Sequence, residues 1–144
     1  MSMIKFFLLF FIFISSASFG QSRMFWNEID VSFHKIIITY GAPDGLEYQE
    51  NGEYWLAYNY GNRNVVYVID KAIVTSILYL ERVENYNDAK ISFVRLDSVS
   101  AIDGFRKLKV EPRFFEKTKY KTQIQVKIVE NFDSFIVAIQ VKKI

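Results

Sequence analysis

The chain has 144 residues, no cysteine and one histidine, with 18 Lys and Arg against 16 Asp and Glu. The cysteine count excludes disulfides, a lipid-modified cysteine and any thiol nucleophile, and a lone histidine leaves only carboxylates for a metal, which suit calcium or magnesium. Charge is near balance but unevenly placed: residues 21–104 hold 7 basic and 12 acidic side chains, and residues 105–144 hold 10 and 4.

The chain opens with one lysine, Lys5, then an apolar run from Phe6 to Ile14, then Ser15-Ser16-Ala17-Ser18-Phe19-Gly20. That order is the n-region, h-region and cleavage region of a secretory signal peptide. The apolar run is far shorter than the roughly 20 residues that span a bilayer. Residues 1–20 are therefore predicted to be a signal peptide cut near Gly20/Gln21, with cleavage after Ala17 as the alternative. Residues 21–144 are left as a single α+β domain with no transmembrane segment. The expected location is the periplasm or the outside of a bacterial cell.

Asn27 to Tyr40 reads as an amphipathic helix, because Trp26, Ile29, Phe33, Ile36, Ile37 and Tyr40 fall on one stripe of a 3.6-residue period. Asn27 is the expected N-cap, Trp26 staples onto Val31, and Gly41 with Pro43 closes the helix. A strand from Ile36 to Thr39 is the competing reading. Gly41 to Gly52 reads as a loop. Tyr54 to Tyr60, Val65 to Ile69 and Ile73 to Arg82 read as an antiparallel meander joined by short turns. Asn87 to Asp103 reads as a second helix with Ile91, Val94, Val99, Ala101 and Ile102 on one side, although partial alternation keeps a strand open there. Phe105 to Val110, Tyr120 to Glu130 and Ser134 to Lys142 read as strands, the last two alternating apolar and polar.

An internal echo appears at an offset of 60, where Val31-Ser32-Phe33 matches Ile91-Ser92-Phe93. The expected fold is α+β: an antiparallel sheet of about six strands with two helices on one face, arranged as a tandem of one helix plus three strands. The order of helix, Gly41-Ala42-Pro43-Asp44 turn and aromatic strand Tyr54-Trp55-Leu56-Ala57-Tyr58 resembles the outer-membrane assembly lipoproteins of the SmpA/OmlA family. The tandem order is similar to the β-lactamase-inhibitor-protein fold. The resemblance implies an exported α+β module with a binding role. The chain departs from both families in having no lipobox cysteine and no disulfides.

No Gly-x-Ser-x-Gly, phosphate-cradling glycine loop or calcium loop is present, so no catalytic residue, metal ligand or cofactor is assigned. Asp44, Glu47, Glu50 and Glu53 read as a solvated acidic loop, and His34 as a surface residue. Binding potential lies in the aromatic meander, at Trp55, Tyr58, Tyr60 and Tyr67, and in the basic stripe at Lys119, Lys121 and Lys127. No aromatic residue interleaves that stripe, so nucleic acid is not the expected partner. The sequence points to an exported, non-enzymatic module that binds a protein or an anionic envelope component through an exposed sheet face. The alternatives are an envelope or outer-membrane assembly accessory and a carboxylate-based enzyme.

Overall fold

The computed structural model describes residues 25–144. The expected signal peptide lies outside them. Within the described residues a short 3-10 helix, Phe25–Glu28, precedes helix α1 (Phe33–Tyr40) and strands β1 (Gly45–Tyr48), β2 (Tyr54–Asn59), β3 (Arg63–Asp70) and β4 (Ile73–Val83). Helix α2 (Tyr86–Ile102) and strands β5 (Arg106–Glu111), β6 (Phe114–Lys119), β7 (Thr122–Asn131) and β8 (Ser134–Lys143) follow.

All strands belong to one antiparallel eight-stranded sheet in the order β1-β2-β3-β4-β8-β7-β6-β5. This corrects the expectation of about six strands. β1 escaped the sequence because its alternation spans only four residues, Gly45–Tyr48, set among turn-forming residues on both sides. β6 escaped because one of its two fully inward positions is Lys117, which spoils the alternation that Phe115 begins. The tandem unit is accordingly one helix plus four strands. β2 starts at 54 and β6 at 114, β3 at 63 and β7 at 122, β4 at 73 and β8 at 134, so every pair keeps close to the 60-residue offset. The two units meet along the β4–β8 seam, where Ile77 pairs with Val141 and Tyr79 with Ile139.

The first helix is also corrected. Residues 30–32 do not continue it, because Asp30 takes a left-handed φ of 70° and the chain joins the start of β4 instead. Asp30 N–H donates to the Val74 carbonyl, and Val74 N–H donates to that of Val31. Asp tolerates the left-handed region better than most residues, which lets the chain turn here. The true cap of α1 is Ser32, whose Oγ accepts from Lys35 N–H at 3.1 Å. Gly41, at φ 83°, ends the helix as the sequence led one to expect. The α1 stripe still faces inward: Trp26 and Ile36 are buried, and Ile29, Phe33, Ile37 and Tyr40 pack half-buried against the core.

Helix α2 is capped by Asn85, whose side chain accepts from Asp88 N–H at 2.9 Å. Its inward face differs in part from the expected one: Val99 packs on the core as expected, but most of that set does not. Ala89 and Ser100 are buried, Phe93 and Leu96 are half-buried, while Ile91, Val94 and Ile102 are exposed. The small residues let the helix axis come close to the sheet, and Phe93 meets Phe115 edge-on at 5.0 Å. The β3–β4 turn, Lys71-Ala72, has both φ values positive, as a type I′ hairpin requires, although neither residue is glycine.

Candidate functional site: the open face of the sheet

Both helices pack on one face of the sheet, and alternation along each strand fixes what the other face carries. Leu56, Tyr58, Val65, Tyr67, Ile77 and Tyr79 point to the helices and are buried. Their neighbours point the other way. Register pairs Trp55 with Val68, Ala57 with Val66, Val66 with Leu78, and Leu80 with Ala138. Val129 pairs with Ile136, and Phe114 with Lys127, on the same side. An uncovered antiparallel face is normally polar. Here it is apolar across β2, β3 and β4 and turns polar across β7 and the end of β8, where Gln123, Gln125, Lys127, Gln140 and Lys142 lie. Trp55 is its largest side chain and is 40% exposed, with Glu47 of β1 as its cross-strand neighbour.

The structure sorts the residues singled out from the sequence into two sets. Trp55 and Lys127 reach the open face. Tyr58 and Tyr67 are in the core, each 3% exposed, and half-buried Tyr60 stacks on Tyr58 at 6.5 Å on the helix side. Lys119 turns to the helix side, where its Nζ donates to the Asp103 carbonyl at 2.6 Å. Lys121 sits in the β6–β7 turn, exposed. The alternation separated Trp55 from Tyr58 correctly; only packing decided which of the two faced out.

The buried tyrosines build a second polar constellation, which the sequence did not reveal. Glu28 accepts from Tyr40 Oη at 2.6 Å and from Tyr67 Oη at 2.8 Å, and Tyr58 Oη donates to the Gly41 carbonyl at 2.8 Å. Burial is the first cause that pushes these phenols upward. Tyr58, with Asp44 and Glu28 nearby, is raised to about 12, as is Tyr60, and burial and Glu28 also push Tyr40 and Tyr67 upward. Neutral phenols donating to a carboxylate act here as a clasp between the N-terminal segment, α1 and the sheet.

A third group surrounds the buried carboxylate of Glu81. Arg63 Nε and Ser92 Oγ each donate to it at 2.8 Å, and Tyr79 Oη approaches at 3.5 Å. Burial, then Glu81, raises the Tyr79 phenol. The spacing signal for either carboxylate was absent, because their partners come from elements distant in sequence. Among the described residues no group of three His, Asp or Glu side chains is placed to hold a metal ion, and no helix is long and apolar enough to cross a membrane.

No family model matches the chain, and no curated protein matches it in sequence. The fold is shared with an extracellular protein containing an SCP domain from Bacillus anthracis, at a TM-score of 0.53 and 14% identity over 85% of this chain. A cysteine-rich secretory protein from Staphylococcus aureus aligns at a TM-score of 0.48 and 9% identity over 81%. The chain spans 46% and 45% of those two structures, less than half of each. The first likeness shows a common fold for the aligned part and nothing of its activity.

Proposed function

We propose that this protein is an exported, non-catalytic module that binds a protein partner through the open face of its sheet. The observation that carries this reading is the apolar band, covered by no helix among the described residues, from Trp55 across Val68, Leu78 and Leu80 to Ile136, bordered by Lys127 and Lys142. A contiguous apolar patch rimmed by polar residues is a common mark of an interaction site. Tryptophan in such a patch is the usual anchor, and flanking lysines steer an acidic partner toward it. Export is supported by the Lys5, Phe6–Ile14 and Ser15–Gly20 pattern, and is in keeping with the extracellular protein of similar fold.

The test is affinity capture from envelope extract with purified wild-type and variant protein, followed by binding kinetics on the captured partner. Trp55→Ala is expected to weaken binding by about 30-fold, the size of a hot-spot loss of about 2 kcal/mol. Lys127→Glu is expected to slow association and flatten its salt dependence while leaving dissociation nearly unchanged. Variants that fold normally and bind at wild-type rates would refute the assignment. Capture of outer-membrane components in particular would favour the envelope-assembly role.

A further inference from the structure

The two ends of the sheet are chemically opposite. β1 and β5 are edge strands, so each leaves one side of its backbone without a strand partner among the described residues. Residues 41–53, around β1, contain Asp44, Glu47, Glu50 and Glu53 and no basic side chain. β5 carries Arg106, Lys107 and Lys109 against one acid, Glu111. Glu47, Glu50 and Arg106 form no ion pair with any described residue, and Lys109 meets Glu111 only at 3.5 Å on the exposed surface. Both edges also expose apolar side chains: Leu46 and Tyr48 on β1, Leu108 and Val110 on β5. Edge charges ordinarily keep sheets apart, because copies of one edge repel each other. Here that holds for β1 against β1 and for β5 against β5, while unlike edges attract.

We propose that copies of this chain associate head to tail, with β1 of one copy pairing with β5 of the next and continuing the antiparallel sheet. A single register satisfies both edges. Setting Glu47 against Lys109 places Leu46 against Val110 and Tyr48 against Leu108, so charge meets opposite charge and apolar meets apolar; Glu50, in the turn after β1, and Arg106, beyond the β5 bulge, add to the opposite charges of the two edges. The faces agree as well. Glu47 and Lys109 both lie on the open face, paired within their own sheet with Trp55 and Glu116. Leu46 and Val110 both lie on the helix face, paired with Leu56 and Phe115. Leu108 sits at the β5 bulge between Lys107 and Lys109. The contact is heterologous, so it adds copies in an open series unless the rotation between them closes a ring.

Sedimentation velocity on the purified protein tests this, at low ionic strength and at roughly 1 M salt, where the Debye length falls to about 3 Å. The wild type is expected to gain mass with concentration at low salt and to return toward the monomer at high salt. The double variants Glu47→Lys/Glu50→Lys and Arg106→Glu/Lys109→Glu are each expected to associate at least tenfold more weakly, with unchanged circular dichroism. A one-to-one mixture of the two should regain assembly, because the altered edge of each now fits the altered edge of the other. Carbodiimide treatment of mixed isotope-labelled and unlabelled protein should give a Glu47–Lys109 crosslink between copies. A wild type that stays monomeric at every concentration would overturn the proposal. So would a salt-insensitive dimer that survives both charge variants, or a mixture that fails to reassemble.

Discussion

At the scale of single residues, the two units solve one problem with different chemistry. Tyr58 in β2 and Lys117 in β6 both run under the end of their own unit's helix. Tyr58 donates to the Gly41 carbonyl, and Lys117 donates to the Asp97 carbonyl at 2.7 Å and to Ser100 Oγ at 2.8 Å. Carbonyls near a helix C-terminus attract both a phenol hydrogen and a cation. Lys117 is fully buried and forms an ion pair with Asp97 at 2.6 Å. Burial pushes the Asp97 carboxyl up, but the nearby ammonium groups of Lys117 and Lys107 outweigh it and hold the carboxyl below its ordinary range. The tyrosine cluster leads to a prediction about alkaline pH. Five of the nine tyrosines, at 40, 58, 60, 67 and 79, prefer the protonated form in the folded chain more strongly than in the unfolded one. Their contribution to stability is therefore complete below about pH 10; the part from Tyr58 and Tyr60 is lost as pH rises through about 12, and that from Tyr40, Tyr67 and Tyr79 is lost as pH rises through their own raised folded values. Urea midpoints are expected to fall across that window, with tyrosinate absorbance lagging in native protein. Ionisation of all nine together near pH 10, with the fold intact, would contradict the clasp.

At the scale of elements, α1 shows how much a stripe can say and where it stops. The inward positions were legible, but the length was not, because backbone hydrogen bonds to β4 captured Asp30 and Val31. The three consecutive isoleucines divide by direction: Ile36 is 1% exposed, Ile37 is half-buried and Ile38 is 69% exposed. Ile36→Ala is expected to cost about 2–5 kcal/mol in denaturant melts, the range for a buried aliphatic truncation. Ile38→Ala should change stability by about 0.5 kcal/mol or less, as surface changes do. Similar losses at both positions would mean that α1 is rotated from the described orientation. In α2 only some of the apolar residues mark the inward side: Phe93, Leu96 and Val99 pack on the core beside buried Ala89 and Ser100, while Ile91, Val94 and Ile102 face outward. The small size of Ala89 and Ser100 lets the helix lie close against the sheet.

At the scale of the whole molecule, two repeats share one sheet, so neither has a core of its own to fall back on. The β4–β8 seam is a long, uninterrupted ladder, and the N-terminal segment crosses it in the other layer. Trp26 Nε1 donates to Asp103 at 2.5 Å, and its ring meets Phe105 edge-on at 5.8 Å, so the start of the first unit is fixed to the second. Unfolding is therefore expected to be one transition. Tryptophan fluorescence, which reports Trp26 at the crossing and Trp55 on the far side of the sheet, should coincide with far-ultraviolet circular dichroism in urea. Separate midpoints would show two independently folding units.

Much of the architecture was decided by local chemistry and is readable as such. Gly41 and Gly104 stop the helices because the chain there needs a positive φ, and the two-residue turns fix antiparallel neighbours. The apolar alternation of β7 and β8 set their inward faces, and the 60-residue echo reflects a repeat that runs through every strand. What local chemistry could not decide was which side of an aromatic strand faces water, because Tyr58 and Trp55 are both amphipathic and either fits a half-buried surface. It could not supply the inward lysine of β6 with its acceptors, nor Glu28 and Glu81 with their donors, since those partners come from other elements. Nor could it place β1 and β5 at opposite edges. That depends on β4 pairing with β8, a contact between residues some 60 positions apart, and the opposition of acidic and basic edges exists only once the seam has formed.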